Sequence, residues 1–160
     1  MARGNVRKRH PKRKSASKRR SSALSTHAFI LYLASALVLR GTQWVSKENQ
    51  VTLTRAIQAA YAVVAEMAGD SALRFIIIPH RVHGTSADVD DMIAYLLTHW
   101  ARKDRNRHII HLDTLPTDIA GKYLSDPQAK SEAMWLIAAD AFLEVMKEAN
   151  AVGSRIVALR

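Results

Sequence analysis

Ten of the first twenty residues are lysine or arginine, and none is acidic. Behind Arg3 they come in triplets: Arg7, Lys8 and Arg9, then Lys12, Arg13 and Lys14, then Lys18, Arg19 and Arg20. Cations this dense, with no carboxylate among them, release counterions from a polyanion, and the phosphates of nucleic acid are the commonest such target. The other 14 cations (24 less these ten) are matched by all 14 carboxylates, so the whole formal charge of +10 sits in this arm. The plainer readings of such a run are a solubilising segment or a nuclear-import signal. Ser15, Ser17, Ser21 and Ser22 interleave with the cations, and their phosphorylation would weaken the arm's charge.

Other candidate chemistry is sparse. His80 and His83 with Asp88 or Asp90 lack further ligands at metal-binding spacing, so no metal and no cofactor is expected. Asp88, Asp90 and Asp91 cluster at a helix start, where the helix dipole accounts for them. Asp140, Glu144 and Glu148 form either an acidic docking patch or a solvated helix face, and the solvated face is the simpler reading. Arg102, Lys103, Arg105 and Arg107 suit either a helix C-terminus or a DNA contact. Tyr32, Tyr61, Trp100 and Trp135 fall on helical stripes and are expected in the core. Cysteine is absent, which excludes disulfides and thiolate metal sites. Nothing resembles a nucleophile–base pair or a phosphate-binding glycine loop, so the chain is not expected to be an enzyme.

The elements that must carry these residues are mainly helical. Apolar residues make up 48% of 160, enough for one domain with a real core. Residues 1–22 hold almost no apolar side chain and are expected to be disordered. Thr26–Leu39 is nearly all apolar, with Ser25 or Thr26 as N-cap and Gly41 as a stop, and a helix apolar all round is normally buried all round. Gly41–Lys47 is expected to be a loop. In Val51–Ile78, Leu53, Ile57, Ala60, Val64 and Met67 recur at helical spacing, a segment about 42 Å long if helical throughout. Pro79 ends it, although Ile76, Ile77 and Ile78 are β-branched and suit an extended stretch. Thr85 or Ser86 caps a short helix carrying Val89, Met92, Ile93, Leu96 and Leu97. His108–Leu112 could be a short strand. Asp126 and Pro127 open a last helix over 127–149, with Ala133, Met134, Ile137, Ala138, Ala141, Val145 and Met146 on its apolar face.

No apolar run reaches the length needed to span a bilayer, and no membrane association is expected. Ala28–Leu39 has the length of a signal-peptide core, but its Ala34-Ser35-Ala36 triplet lies inside the run. The acid-free, Arg- and Ser-rich first 47 residues leave a mitochondrial transit peptide as a minor alternative.

Several short matches make the chain resemble a core histone. Thr85-Ser86-Ala87-Asp88-Val89 matches the opening of the family's third helix, followed by Leu96 and Leu97. Met67-Ala68-Gly69-Asp70-Ser71-Ala72-Leu73-Arg74 resembles the end of the long helix of histone 2B. Thr42-Gln43-Trp44-Val45-Ser46-Lys47 resembles its first loop, and Lys18-Arg19-Arg20 before His27-Ala28-Phe29-Ile30-Leu31-Tyr32 its basic region and first helix. The likeness covers roughly residues 1–100. Departures are about four extra residues between Lys47 and Gly69, His83 where the family has threonine, and a longer C-terminal part. Arg107-His108-Ile109-Ile110 to Leu115-Pro116 is faintly similar to the docking tail of histone 2A. Such divergence suits a large DNA virus's own histone, or a diverged cellular one.

The resemblance implies an all-α histone fold: helix, loop, long helix, loop, helix, with a basic N-terminal tail (1–22), a histone-fold domain (23–103) and a C-terminal extension (104–160) bearing an extra helix. It implies an obligate heterodimer with a histone 2A-like partner, joined to a histone 3/4-like tetramer in an octamer on double-stranded DNA, in a nucleus or a virion. Dimerisation would fall to Leu53, Ile57, Tyr61, Val64, Met67, Met92 and Leu96, since two apolar sides of the long helix ask for a partner's cover. Besides the arm, DNA phosphates would be met by Ser46 and Lys47 in the first loop and by Arg81, His83 and Thr85 in the second. The rivals are a histone-fold transcription subunit and a viral core protein that neutralises packaged genome without wrapping it.

Overall fold

Ser25 starts the first helix, its hydroxyl accepting from the Ala28 amide at 3.2 Å. This helix, α1 (Thr26–Leu39), ends at Arg40 and Gly41, the latter at a φ of 82° that glycine adopts at little cost. Eight consecutive or near-consecutive residues of α1, from Phe29 to Leu37, are buried. Such all-round burial needs neighbours on every side, and α3 (Ala87–His99), α4 (Thr117–Leu124) and α5 (Glu132–Glu148) supply them. A computed structural model describes residues 23–99, 102–103 and 108–154, with the backbone alone at 102, 103 and 154. Within these residues α1 is the hub of the core.

The expected first loop is a strand, β1 (Thr42–Ser46). Thr42, Trp44 and Val45 suit an extended backbone, and the strand pairs with two partners, β3 (Ile109–His111) and β4 (Val152–Ser154), both antiparallel. A two-residue strand, β2 (Arg102–Lys103), completes the order β2-β3-β1-β4. The all-α expectation is therefore corrected to mainly α with a small sheet. Local sequence understated it because each strand is short and two of its partners lie at the far end of the chain. The sheet and core also join the residues before 103 to those beyond 104.

The long helix is shorter than its apolar pattern suggests. α2 spans Gln50–Ala68, 19 residues in place of 28, and its N-cap is Asn49, whose side chain accepts from the Thr52 amide at 3.1 Å. Ser46 lies one element earlier, its hydroxyl accepting from the Glu48 amide. Gly69 at φ 88° breaks the helix, and Asp70–Ala72 forms one 3-10 turn. Leu73 is extended, and from a bend at Arg74 the chain continues to Pro79 outside any helix, as three β-branched isoleucines and the residue before a proline both favour. It then turns at 81–83 and enters α3 (Ala87–His99), whose first helical bond is accepted by the Ser86 carbonyl.

The C-terminal part adds α4 (Thr117–Leu124) and α5 (Glu132–Glu148). The expected helix 127–149 is split. Asp126 does cap, but it caps a single 3-10 turn, Pro127–Ala129, and Ser131 caps α5 separately. The buried face of α5 is Met134, Trp135, Ala138, Ala139, Phe142, Leu143 and Met146. Ile137, assigned to that face from the sequence, is exposed, because the stripe rotates to bring in the larger rings of Trp135 and Phe142.

α5 packs along α2. The buried stripe of α2 is Leu53, Thr54, Ala56, Ile57, Ala60 and Val64, and both helices bury alanines, which allow close backbone approach. Of the seven residues assigned to dimerisation, Leu53, Ile57, Val64, Met92 and Leu96 are buried in the core of this one chain. Tyr61 is half-buried, its hydroxyl donating to the Phe75 carbonyl at 2.7 Å, and Met67 alone is exposed. The cover expected from a second subunit is provided in cis, which removes the packing reason for an obligate partner.

Candidate nucleic-acid interface

The root of the arm is fixed although Arg7, Lys8, Arg9, Lys12, Arg13, Lys14, Lys18, Arg19 and Arg20 lie outside the described residues. Leu24 forms a parallel bridge with Leu73: its amide donates to the Ala72 carbonyl at 2.7 Å, and its carbonyl accepts from Arg74 at 2.9 Å. Leu24 is fully buried. The arm is thus fastened beside the turn that follows α2.

The two candidate loops lie toward the other end of α2, a 19-residue helix about 28 Å long. Ser46 ends β1, its amide donating to Ala151, and Lys47 donates its amide to His108 at 2.7 Å. The return from Leu73 to Pro79 carries the second loop back beside the start of α2. There Gly84 lies so close to Val51 that a β-carbon on it would come within 3.2 Å of the valine methyl. Within the turn, the His80 amide donates to Thr85 at 2.6 Å and Gly84 to His80 at 2.8 Å. His80 Nδ1 accepts from the Val82 and His83 amides, and the two imidazoles stack at 4.9 Å. Ser46, Lys47, Arg81, His83 and Thr85 therefore belong to one end of a single molecule. Arg81 and His83 are exposed, whereas Ser46, Lys47 and Thr85 are half-buried.

This end carries few cations beside the arm's ten: Lys47 is followed directly by Glu48, whereas Arg81 stands in a loop whose nearest carboxylate in sequence, Asp88, lies in the first turn of α3. Asp91 has a different task from the rest of its cluster. It accepts from Thr26 Oγ1 at 3.2 Å and pairs with His27 Nε2 at 2.9 Å, tying the start of α3 to the start of α1. His27 also stacks on Tyr95 at 4.4 Å. Asp140 pairs with Arg40 at 2.8 Å across an exposed surface. Among the described residues no three histidines or carboxylates gather as metal ligands, and no helix is long and apolar enough to cross a membrane.

The aromatic residues pack inward. Trp135 is fully buried and its indole donates to the Ala129 carbonyl at 2.8 Å. Tyr32 is buried, and burial, with Asp126 adding to it, pushes its phenol pKa above the usual value. Burial and then Asp70 act the same way on Tyr61. Trp100 lies outside the described residues.

One feature has no sequence signal. A groove of about 240 Å³ separates the first turns of α2 from α3, lined by Lys47, Gln50, Leu53, Thr54, Val89, Asp90, Ile93, Ala94 and Leu97. Thr54, 1% exposed, keeps its hydroxyl there without a hydrogen-bond partner.

Set beside known proteins, the chain matches no protein family, no curated protein and no solved structure.

Proposed function

We propose that this chain is a structural, non-enzymatic protein that binds double-stranded DNA through phosphate contacts without reading its sequence. The arm supplies the affinity, and the folded body carries the arm. The observation that weighs most is the seating of α5 along α2 within one chain, together with a body whose charges cancel. A body that covers its own long helix can act as a single unit. This favours a core protein that neutralises packaged genome, in a nucleus or a virion, over one that wraps DNA with partners.

The order of α1, α2 and α3, at 14, 19 and 13 residues, supports a second reading as a diverged histone fold. In that reading a histone 2A-like partner would bind on a surface other than the buried stripe of α2, and a histone 3/4-like tetramer beyond it.

Binding to random-sequence duplex DNA, measured against salt, tests the proposal. If all ten arm cations engage phosphates, the logarithmic slope approaches about −9. Removing residues 1–22 abolishes binding by a neutral body, whereas a histone-like body retains a weaker contact. Nuclease digestion of the complex gives a smear for a neutraliser and a discrete protected length for a wrapping particle. A slope near zero would end the proposal.

A further inference from the structure

The face that α3 turns toward α2 is not closed. α3 packs chiefly on α1. Val89, Ile93 and Leu97, spaced four residues apart along one line of α3, border the groove opposite Leu53 of α2. No large exposed apolar side chain among the described residues lines this groove, so it is a slot in the surface and not part of a wide apolar patch. Behind Leu53 and Ile93 lies a wholly apolar void of about 20 Å³, bordered also by Ile57 and Phe142. That space gives both side chains room to shift inward as a guest enters.

The chemistry of the slot specifies its occupant. Its walls are aliphatic, and one buried polar atom stands in them: the hydroxyl of Thr54, 1% exposed and without a hydrogen-bond partner. A hydroxyl left so is costly, and a guest that brings one hydrogen-bonding atom to it removes that cost. Lys47 and Asp90 stand at the rim with opposite signs, which gives a charged guest no advantage. At about 240 Å³ the slot lies below the range of drug-sized ligands and suits a compact guest. An aromatic ring with one polar edge meets all three conditions, since it presents apolar area in a rigid form beside a single donor.

We infer that the slot between α2 and α3 binds a small neutral aromatic molecule bearing one N–H or O–H, of the indole or phenol class. The ring lies between Leu53 on one side and Val89, Ile93 and Leu97 on the other, and its N–H or O–H donates to Thr54 Oγ1. The site draws on neither the arm nor a loop cation, so it stands or falls apart from the DNA-binding reading.

The test titrates the full chain, with isotope-labelled methyl groups, against indole and against indene, which has the same shape but a methylene in place of the N–H. Indole is expected to shift the methyl signals of Leu53, Thr54, Ile93 and Leu97 and to bind about three- to tenfold tighter than indene. Thr54→Val, which keeps the side chain's shape, should make the two affinities equal, and its urea midpoint reports that it is folded. Ala94→Leu, at an exposed position of α3, should weaken both by narrowing the slot. Equal affinities in the unaltered protein, shifts confined to other residues, or a Thr54→Val chain that still prefers indole overturns the inference. So does a capped Ala-Trp-Ala peptide that binds the slot more tightly than indole, which would assign it to a partner protein's side chain.

Discussion

Replacing Trp135 probes the junction on which the body depends. Its indole is fully buried and lies 5.4 Å from the Phe29 ring and 5.5 Å from Tyr32, both on α1. Trp135→Ala removes that contact and leaves a cavity the surrounding helices fill only in part, a cost of about 3–5 kcal/mol. For a domain of this size each kcal/mol lowers Tm by about 2–4 °C, so the expected fall is about 6–20 °C. Trp135→Phe is the control. It keeps one ring but loses the bond to the Ala129 carbonyl, which still accepts from the Ser131 amide at 2.9 Å and so is not stranded. Its cost should be about 1–2 kcal/mol. Circular dichroism melts at two protein concentrations give both values. A Trp135→Ala shift below about 1 kcal/mol would refute the packing of α5 onto α1. A Tm that rises with concentration would show that a second chain contributes to the core.

Thr54→Val, which removes an unpartnered buried hydroxyl at constant shape, should leave the urea midpoint unchanged or raise stability by up to about 1 kcal/mol. Gly69→Ala forces a β-carbon into a left-handed conformation (φ 88°) and should cost about 1–2 kcal/mol in the same assay. Asp140→Asn breaks an ion pair whose partners are 38% and 54% exposed, so its effect should stay under about 1 kcal/mol and vanish at high salt. The phenols of Tyr32, Tyr61 and Tyr123 are all pushed up, chiefly by burial. A raised folded-state value means the unfolded chain gives up these protons first. Their contribution is therefore intact below about pH 10 and declines as pH rises above it. Alkaline titration by ultraviolet absorbance should show these tyrosines ionising later in the folded protein than after unfolding in urea.

Local patterns carried some of the element ends, though not those of α2 or α5. Ser25 caps α1, Gly41 stops it, Ser86 opens α3, and Ile109–His111 is a strand. The all-round apolar character of Thr26–Leu39 also announced a buried helix. What the pattern could not show was which neighbour covers which face. The apolar stripes of α2 looked like an interface for a second subunit because the covering surface, α5, begins only at Glu132, 64 residues after α2 ends at Ala68. Length misled as well: alanines and isoleucines continue past Gly69, but a glycine at positive φ and the β-branched run before Pro79 end the helix and reverse the chain. That reversal brings Lys47 and Arg81 to one end of one molecule. The unpartnered Thr54 hydroxyl and the slot it borders arise only from packing, and no spacing in the sequence marks either.

The central claim is that one chain hides its own long helix beneath its C-terminal helix. Sedimentation equilibrium of the full chain without DNA, at about 10 µM, tests it most directly. A folded particle with the mass of a single 160-residue chain is the expected result. A dimer that separates only as it unfolds would contradict the account and return the buried stripe of α2 to a partner.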